Sequence, residues 1–366
     1  MKRKGFTLIE LLAVIVILAI IALIATPIVL DIIEDSKNSS IKRSIELYAD
    51  AVENSVAKAQ LNGSVVPSGK YTTTDGKTLT NGNTTIKVDY DGAKTVCDVY
   101  ISNEGTISLK KCNVSDKTVE YTYGNKIYEN GEVVYFDVTT GKTCDNYTET
   151  QSNTGVNSGC MKFYAYNDDG GDKINLLLDH NTTATIAWNS SGTNSNGPDQ
   201  EFLNKLNEDT KDWQGTETPL NYTMDQTGQE SGAKYTIDYS SYKARLITAN
   251  EIATITGNTS WDEETASGGY YFDTNTTTAS TTCKSGNTTG CKYGWLYDRT
   301  HMECTTSGCL NNSDVKIYGY WSASSIAGTR LAWFVGWGGN VSGINVGYSG
   351  GYGVRPVITI SKSLIK

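Results

Sequence analysis

Residues 11–30 carry no charged side chain, and that run constrains the chain more than any other feature. Twenty residues make a helix about 30 Å long, enough to cross the hydrocarbon core of a bilayer. Lys2, Arg3 and Lys4 come first, then Gly5-Phe6-Thr7-Leu8-Ile9-Glu10. The carboxylate of Glu10 stands at the outer end of the apolar run. A lone charge there is costly in lipid, so it needs a partner and a task. A secretory signal has a shorter apolar core with a small-residue cleavage site after it. Here the run is longer and the glycine precedes it. A plain membrane anchor gives no reason to keep Glu10.

The order of basic leader, Gly5, Glu10 and Pro27 resembles the class III signal of type IV pilins and pseudopilins. In that family a membrane peptidase cuts after the glycine, here Gly5, and methylates the new N-terminus, here Phe6. Glu10 falls where the family has its assembly glutamate, and Pro27 where it carries a helix-kinking proline. The resemblance implies other pilin subunits, the prepilin peptidase and the membrane as partners. It also implies a single-pass precursor in the cell membrane and a pilus at the cell surface after assembly.

With 366 residues the chain has room for two domains beyond the helix. Gly, Thr, Asn and Ser abound, and 23 Tyr stand against 6 Phe, which suits an exported β-rich protein with many turns. The formal charge is −9, and loss of Lys2, Arg3 and Lys4 takes it to about −12. Nucleic acid is not expected as a partner, because its binding rests on Lys and Arg. The eight cysteines are 97, 112, 144, 160, 283, 291, 304 and 309. An even count in an exported chain reads as disulfides. Pairing of sequence neighbours is the natural expectation: Cys97–Cys112, Cys144–Cys160, Cys283–Cys291 and Cys304–Cys309. A metal is not expected, since no C-x-x-C occurs and His180 and His301 are the only histidines. No cofactor is implied.

From Asp31 onward the helix turns amphipathic. Ile41, Ile45, Tyr48, Val52, Val56 and Ala59 form one apolar stripe. Gly63 and Pro67 end it. Residues 84–90 and 94–101 read as strands joined at Asp91-Gly92, a strong hairpin signal. Residues 106–114 follow across Asn103-Glu104-Gly105, and 119–123, 126–129 and 132–138 continue a meander. The expected fold class is α+β, with a long N-terminal helix packed on an antiparallel β-meander head and a mixed α/β domain after it. The expected boundaries are 1–5 leader, 6–62 helix, 63–140 head, 141–160 linker and 161–366 second domain. In that domain Pro198 is expected to begin a helix that buries Phe202, Leu203 and Leu206. Thr248 and Glu251 form a capping box for a helix that stops at Gly257.

Arg245-Leu246-Ile247-Thr248-Ala249-Asn250-Glu251 resembles the Arg-Leu-Pro-Thr-x-x-Glu segment of formylglycine-generating-enzyme-like domains, a branch of the C-type-lectin fold. Tyr320-Trp321-Ser322-Ala323-Ser324 and Gly353-Val354-Arg355-Pro356-Val357 are similar to the closing signature of that branch. The resemblance implies a C-type-lectin-like domain over 161–366. Arg245, Thr248 and Glu251 are expected to tie a helix to the core, and Arg355 to pair with a carboxylate. The oxidising members use a cysteine pair near the C-terminal end, and this chain has no cysteine after Cys309. No G-x-S-x-G, Walker loop or HExxH occurs either. The domain is expected to be catalytically silent.

Residues 321–352 have the composition of a binding surface: aromatics with Asn, Ser and Gly. Arg330, Trp337, Asn340, Asn345, Tyr348 and Tyr352 are the candidate ligand contacts. Trp333 and Val335 are expected in the core. The segment also resembles the variable region of ligand-binding proteins diversified by retroelements. Asn167-Asp168-Asp169-Gly170-Gly171-Asp172 lacks the spacing of an EF-hand and reads as a polar turn. The expected function is a minor or tip pilin displaying an adhesive domain for a protein or glycan on a surface. The alternatives are a structural pilin or secretion pseudopilin without a ligand, and a diversified surface receptor.

Overall fold

The computed structural model describes residues 8–144, 147–148, 159–182, 185–194, 196–228, 232–273, 283, 288–298 and 318–365. The chain divides into two compact units, Met1–Asn125 and Lys126–Lys366.

The first unit opens with α1 (Leu8–Leu61), which runs unbroken through Pro27. Its second half presents Ile45, Tyr48, Ala49, Val52 and Val56, all buried, with Ile41 packed partly against the same cluster. These spacings of three and four place one stripe along the helix, which covers the apolar face of a sheet. The strands are β1 (Gly69–Tyr71), β2 (Thr78–Asn81), β3 (Thr84–Lys87), β4 (Thr95–Ile101), β5 (Ile107–Val114) and β6 (Lys117–Val119). The main sheet has the antiparallel order β1-β4-β5-β6, while β2 and β3 form a separate hairpin whose Thr80 bridges to Thr72, just past β1. Val99, Ile101, Ile107 and Leu109 point from this sheet into the cluster under the helix.

Three expectations fail here, the first being the strand 119–123, of which Val119 ends β6 and Tyr123 makes only an isolated bridge to Leu109. Asp91-Gly92 does not turn a hairpin: β3 pairs with β2, through a loop at Gly82-Asn83 where Gly82 takes a φ of 55°. The cause is Tyr90, which leaves the strand path to dock on the helix. Its hydroxyl donates to the Ser44 carbonyl at 3.2 Å, and its ring meets Tyr48 edge-on with centroids 5.3 Å apart. Residues 126–129 form no strand either, because the Tyr128 N–H donates to Asp168 rather than to a ladder. The β4–β5 hairpin across 103–105 is present, joining Ile101 to Ile107.

The second unit contains β7 (Val133–Asp137), β8 (Lys142–Thr143), β9 (Cys160–Tyr166), β10 (Lys173–Leu178), α2 (Gln200–Thr210), β11 (Tyr222–Asp225) and β12 (Lys234–Ile237). It continues with α3 (Ala249–Thr256), β13 (Tyr270–Tyr271), α4 (Gly294–Tyr297), β14 (Gly319–Ser325), β15 (Leu331–Gly336), β16 (Asn340–Asn345), β17 (Tyr352–Gly353) and β18 (Val357–Ser361). Two five-stranded sheets have the orders β18-β10-β9-β7-β8 and β13-β16-β15-β14-β17. The last strand closes on the first sheet, Ile174 facing Ile360. The expected boundary near residue 140 is therefore misplaced. β7 pairs with β9, Tyr135 facing Lys162, so residues 126–140 belong to the second unit. Val134, Phe136, Met161 and Phe163 alternate into one core, and that burial fixes the strand's membership. The described ends of the expected linker, 141–144 and 159–160, also lie in this unit.

α2 begins at Gln200, two residues after Pro198, and Asp199 is its N-cap, the side chain accepting from the Phe202 N–H. Phe202 and Leu206 are fully buried beneath that helix. Thr248 and Glu251 form the reciprocal capping box of α3, and Gly257 closes it with a φ of 75°.

Candidate functional site

In the first half of α1 the apolar residues face outward. Leu12 is 57 % exposed and Leu23 79 % exposed, and the most apolar window has none of its residues buried. Such a surface is unstable in water and requires lipid or other helices around it. Glu10 lies in the first turn. Gly5 and Phe6, the expected cleavage and methylation residues, lie outside the described residues. Pro27 lacks the N–H that would reach the preceding turn, yet the helix continues past it.

Arg245 makes a bidentate ion pair with Glu251, at 2.6 and 2.8 Å, and also donates to the Tyr166 hydroxyl and the Leu246 carbonyl. Burial would push Glu251 up, but Arg245 outweighs it and holds the carboxyl below its ordinary range. These groups tie α3 to the sheet through the strand residue Tyr166. Arg355 does not pair with a carboxylate among the described residues. Its guanidinium donates to the carbonyls of Leu178, Trp295 and Leu296 and lies over the Tyr320 ring, 5.0 Å from its centroid. The short helix α4 ends in unpaired carbonyls, and a planar fork of donors satisfies two of them at once. Asp168 is likewise committed: it accepts from the N–H groups of Tyr128 and Gly170 and pairs with Lys362 at 2.7 Å.

Three disulfides staple the described chain: Cys97–Cys112, Cys144–Cys160 and Cys283–Cys291. The first bridges β4 and β5 beside an irregularity at Lys111, whose φ is 54°. Asp273 lies close to the third, but both sulfurs there are bonded to each other and cannot act as thiolate ligands. Cys304 and Cys309 lie outside the described residues, as does His301.

The six candidate contacts do not converge. Asn345 faces Leu331 and Asn340 faces Gly336 on the β15–β16 pair, so they stand five residues apart. At roughly 3.3 Å per residue that separates them by about 17 Å. Arg330, Asn345 and Tyr348 share one end, while Trp337 and Asn340 sit at the other. Arg330 is exposed and has no ion pair among the described residues, and Tyr348 is 40 % exposed. Tyr352 is a correction. It is 6 % exposed and packs on Phe334 and Trp321, at 4.3 and 5.1 Å between centroids. Burial pushes its hydroxyl pKa up to about 12. Trp333 and Val335 are fully buried, on the opposite face.

One neighbour was not foreseen. The Asn189 N–H donates to the Val346 carbonyl at 3.0 Å, which sets the turn 189–192 beside the 345–350 segment. Ser190 and Ser191 join Asn345, Gly347 and Tyr348 on that surface. Only the Asn-Ser-Ser-Gly composition of 189–192 marked it, and Asn, Ser and Gly recur throughout this chain.

The prokaryotic N-terminal methylation motif matches residues 1–26. A fimbrial protein of Moraxella nonliquefaciens is 30 % identical over 146 residues, which cover 38 % of this chain and 88 % of that protein. No solved structure matches. The motif, the exposed apolar helix and the extent of the fimbrial relative that is covered agree, and the chain belongs to the type IV pilin family.

Proposed function

We propose that this pilin enters its fibre as a minor or tip subunit and displays residues 126–366 as an adhesive, ligand-binding unit. The size of that unit supports a tip place, since 241 extra residues on every subunit would crowd a helical repeat. The reading rests above all on the surface of 189–192, 328–330 and 345–350. It gathers Ser, Asn and Gly around the exposed Tyr348 and Arg330, the mix that adaptable binding loops use. From 318 to 365 the sequence holds no Asp or Glu in an otherwise acidic chain, and the carboxylate beside this face, Asp199, accepts from the Ser190 N–H and hydroxyl. The C-type-lectin-like resemblance of 161–366 points the same way. The unit does no chemistry of its own on this reading, for Arg245, Glu251 and Arg355 are spent on holding helices.

Trp337 and Asn340, at the far end of the strands, are outside this revised surface. Arg330→Ala with Tyr348→Ala tests it. Cells carrying the double variant keep normal fibres but lose attachment to host cells or glycan-coated surfaces. Normal attachment favours the competing reading of a structural pilin without a ligand, which the scatter of the candidate residues and the burial of Tyr352 support.

A further inference from the structure

We propose that Asn62 and Asn83 are acceptor sites for a covalently attached, N-linked glycan. Thirteen of the 29 asparagines stand in Asn-x-Ser or Asn-x-Thr triplets with no proline between. The chain's own share of Ser and Thr would place about six there by chance. The excess alone selects no site; the structure does.

The carboxamide nitrogen of asparagine is a weak nucleophile, because its lone pair is delocalised into the carbonyl. A transferase has to engage the hydroxyl two residues on while it holds that amide, so the triplet must be able to leave the protein surface. Several triplets fail this requirement. Asn189 is buried and donates its amide to the Gly197 carbonyl. Asn221 is exposed, but its carbonyl accepts from the Tyr239 N–H. Asn38 is held within α1.

Asn62-Gly63-Ser64 meets the requirement, and Asn83-Thr84-Thr85 meets it when the end of the short β2–β3 hairpin opens, for Thr84 and Thr85 begin β3 and face Asn81 and Thr80. All three residues of the first are exposed, just past the end of α1 in a stretch without strand or helix. Gly63 takes a φ of 81°, and a side chain placed there would meet nothing within 4 Å, so the turn stands clear of the unit. Asn83 occupies the two-residue loop between β2 and β3, with Thr85 exposed beyond it. Neither amide has a hydrogen-bond partner among the described residues.

Topology puts both on the side where such transfer occurs. The basic leader keeps Lys2, Arg3 and Lys4 inside, so residues past the apolar run are outside. The donor class is a saccharide carried on a polyprenyl pyrophosphate. A bond forms between Nδ2 and the anomeric carbon, the bond from that carbon to the pyrophosphate oxygen breaks, and the amide proton passes to a base of the transferase. The lipid pyrophosphate leaves and nothing is oxidised.

The test is mass spectrometry of peptides from the pilin purified from the organism that makes it. The peptides holding Asn62 and Asn83 carry a saccharide mass. Asn62→Gln and Asn83→Gln each remove one, and Ser64→Ala and Thr85→Ala do so with the asparagine intact. Both peptides at their unmodified mass in the natural protein overturn the proposal. So does a modification that persists in Ser64→Ala and Thr85→Ala.

Discussion

Tyr348 and Tyr352 lie four residues apart with rings 5.9 Å from one another, yet only one of them is held in the core. Emptying a buried aromatic site costs about 3–5 kcal/mol, whereas an exposed site shifts stability by about 0.5 kcal/mol or less. Tyr352→Ala therefore lowers the melting temperature by many degrees and Tyr348→Ala leaves it nearly unchanged; equal shifts would contradict their placement. Sequence could not separate them, since both follow Gly-rich turns. What decides is Phe334 and Trp321 on adjacent strands, a cross-strand fact. Glu263 was likewise invisible as a hub. Its carboxylate is 4 % exposed and accepts from the Tyr222 and Ser324 hydroxyls and the Asn250 N–H. Burial raises its pKa above the ordinary 4.5 despite these donors. Between that ordinary value and the raised one the folded state binds more protons than the unfolded chain, so this group's contribution to stability falls as pH rises. Glu263→Gln removes this titration, and the variant's melting temperature relative to the natural chain climbs with pH across that window. A constant difference would contradict the assignment.

At the scale of elements, periodicity was the most legible signal. The stripe from Ile41 to Val56 gave the packing face of α1, and the alternation in β4 and β5 gave the hairpin. Thr248 and Glu251 gave the start of α3. The Asp91-Gly92 signal misled because a turn dipeptide fixes a bend, while the partner of a strand is fixed by what its side chains can bury. Tyr90 packs against Tyr48 and Ser44 of the helix instead of extending a ladder. Ile45 carries the helix–sheet contact, fully buried. Ile45→Ala costs about 2–5 kcal/mol, read as a lower denaturant midpoint. The Cys97–Cys112 bridge closes 15 residues. In the chain-entropy model that is worth roughly 3 kcal/mol. Replacing both with serine lowers the melting point, and peptide maps of unreduced protein show the bridge. Thiol labelling of either cysteine before reduction would count against it.

Over the whole molecule, the N-terminal signal was legible because a leader, a glycine, a glutamate and a proline must keep register. The division at Asn125 was not. Strand β7 resembles its predecessors in composition, and only its pairing with β9 assigns it to the second unit. Family membership implies that this chain assembles with other pilin subunits. An isolated carboxylate within a lipid-embedded bundle is costly unless a neighbour's positive terminus meets it. Glu10→Ala thus inserts in the membrane but does not enter fibres, as fractionation of membranes and sheared pili will show. The most direct test of the account is the N-terminus of the chain in isolated fibres. The account predicts a chain that begins at Phe6 with one methyl group on its amine. A fibre subunit that still begins at Met1, in cells with an active prepilin peptidase, would contradict it.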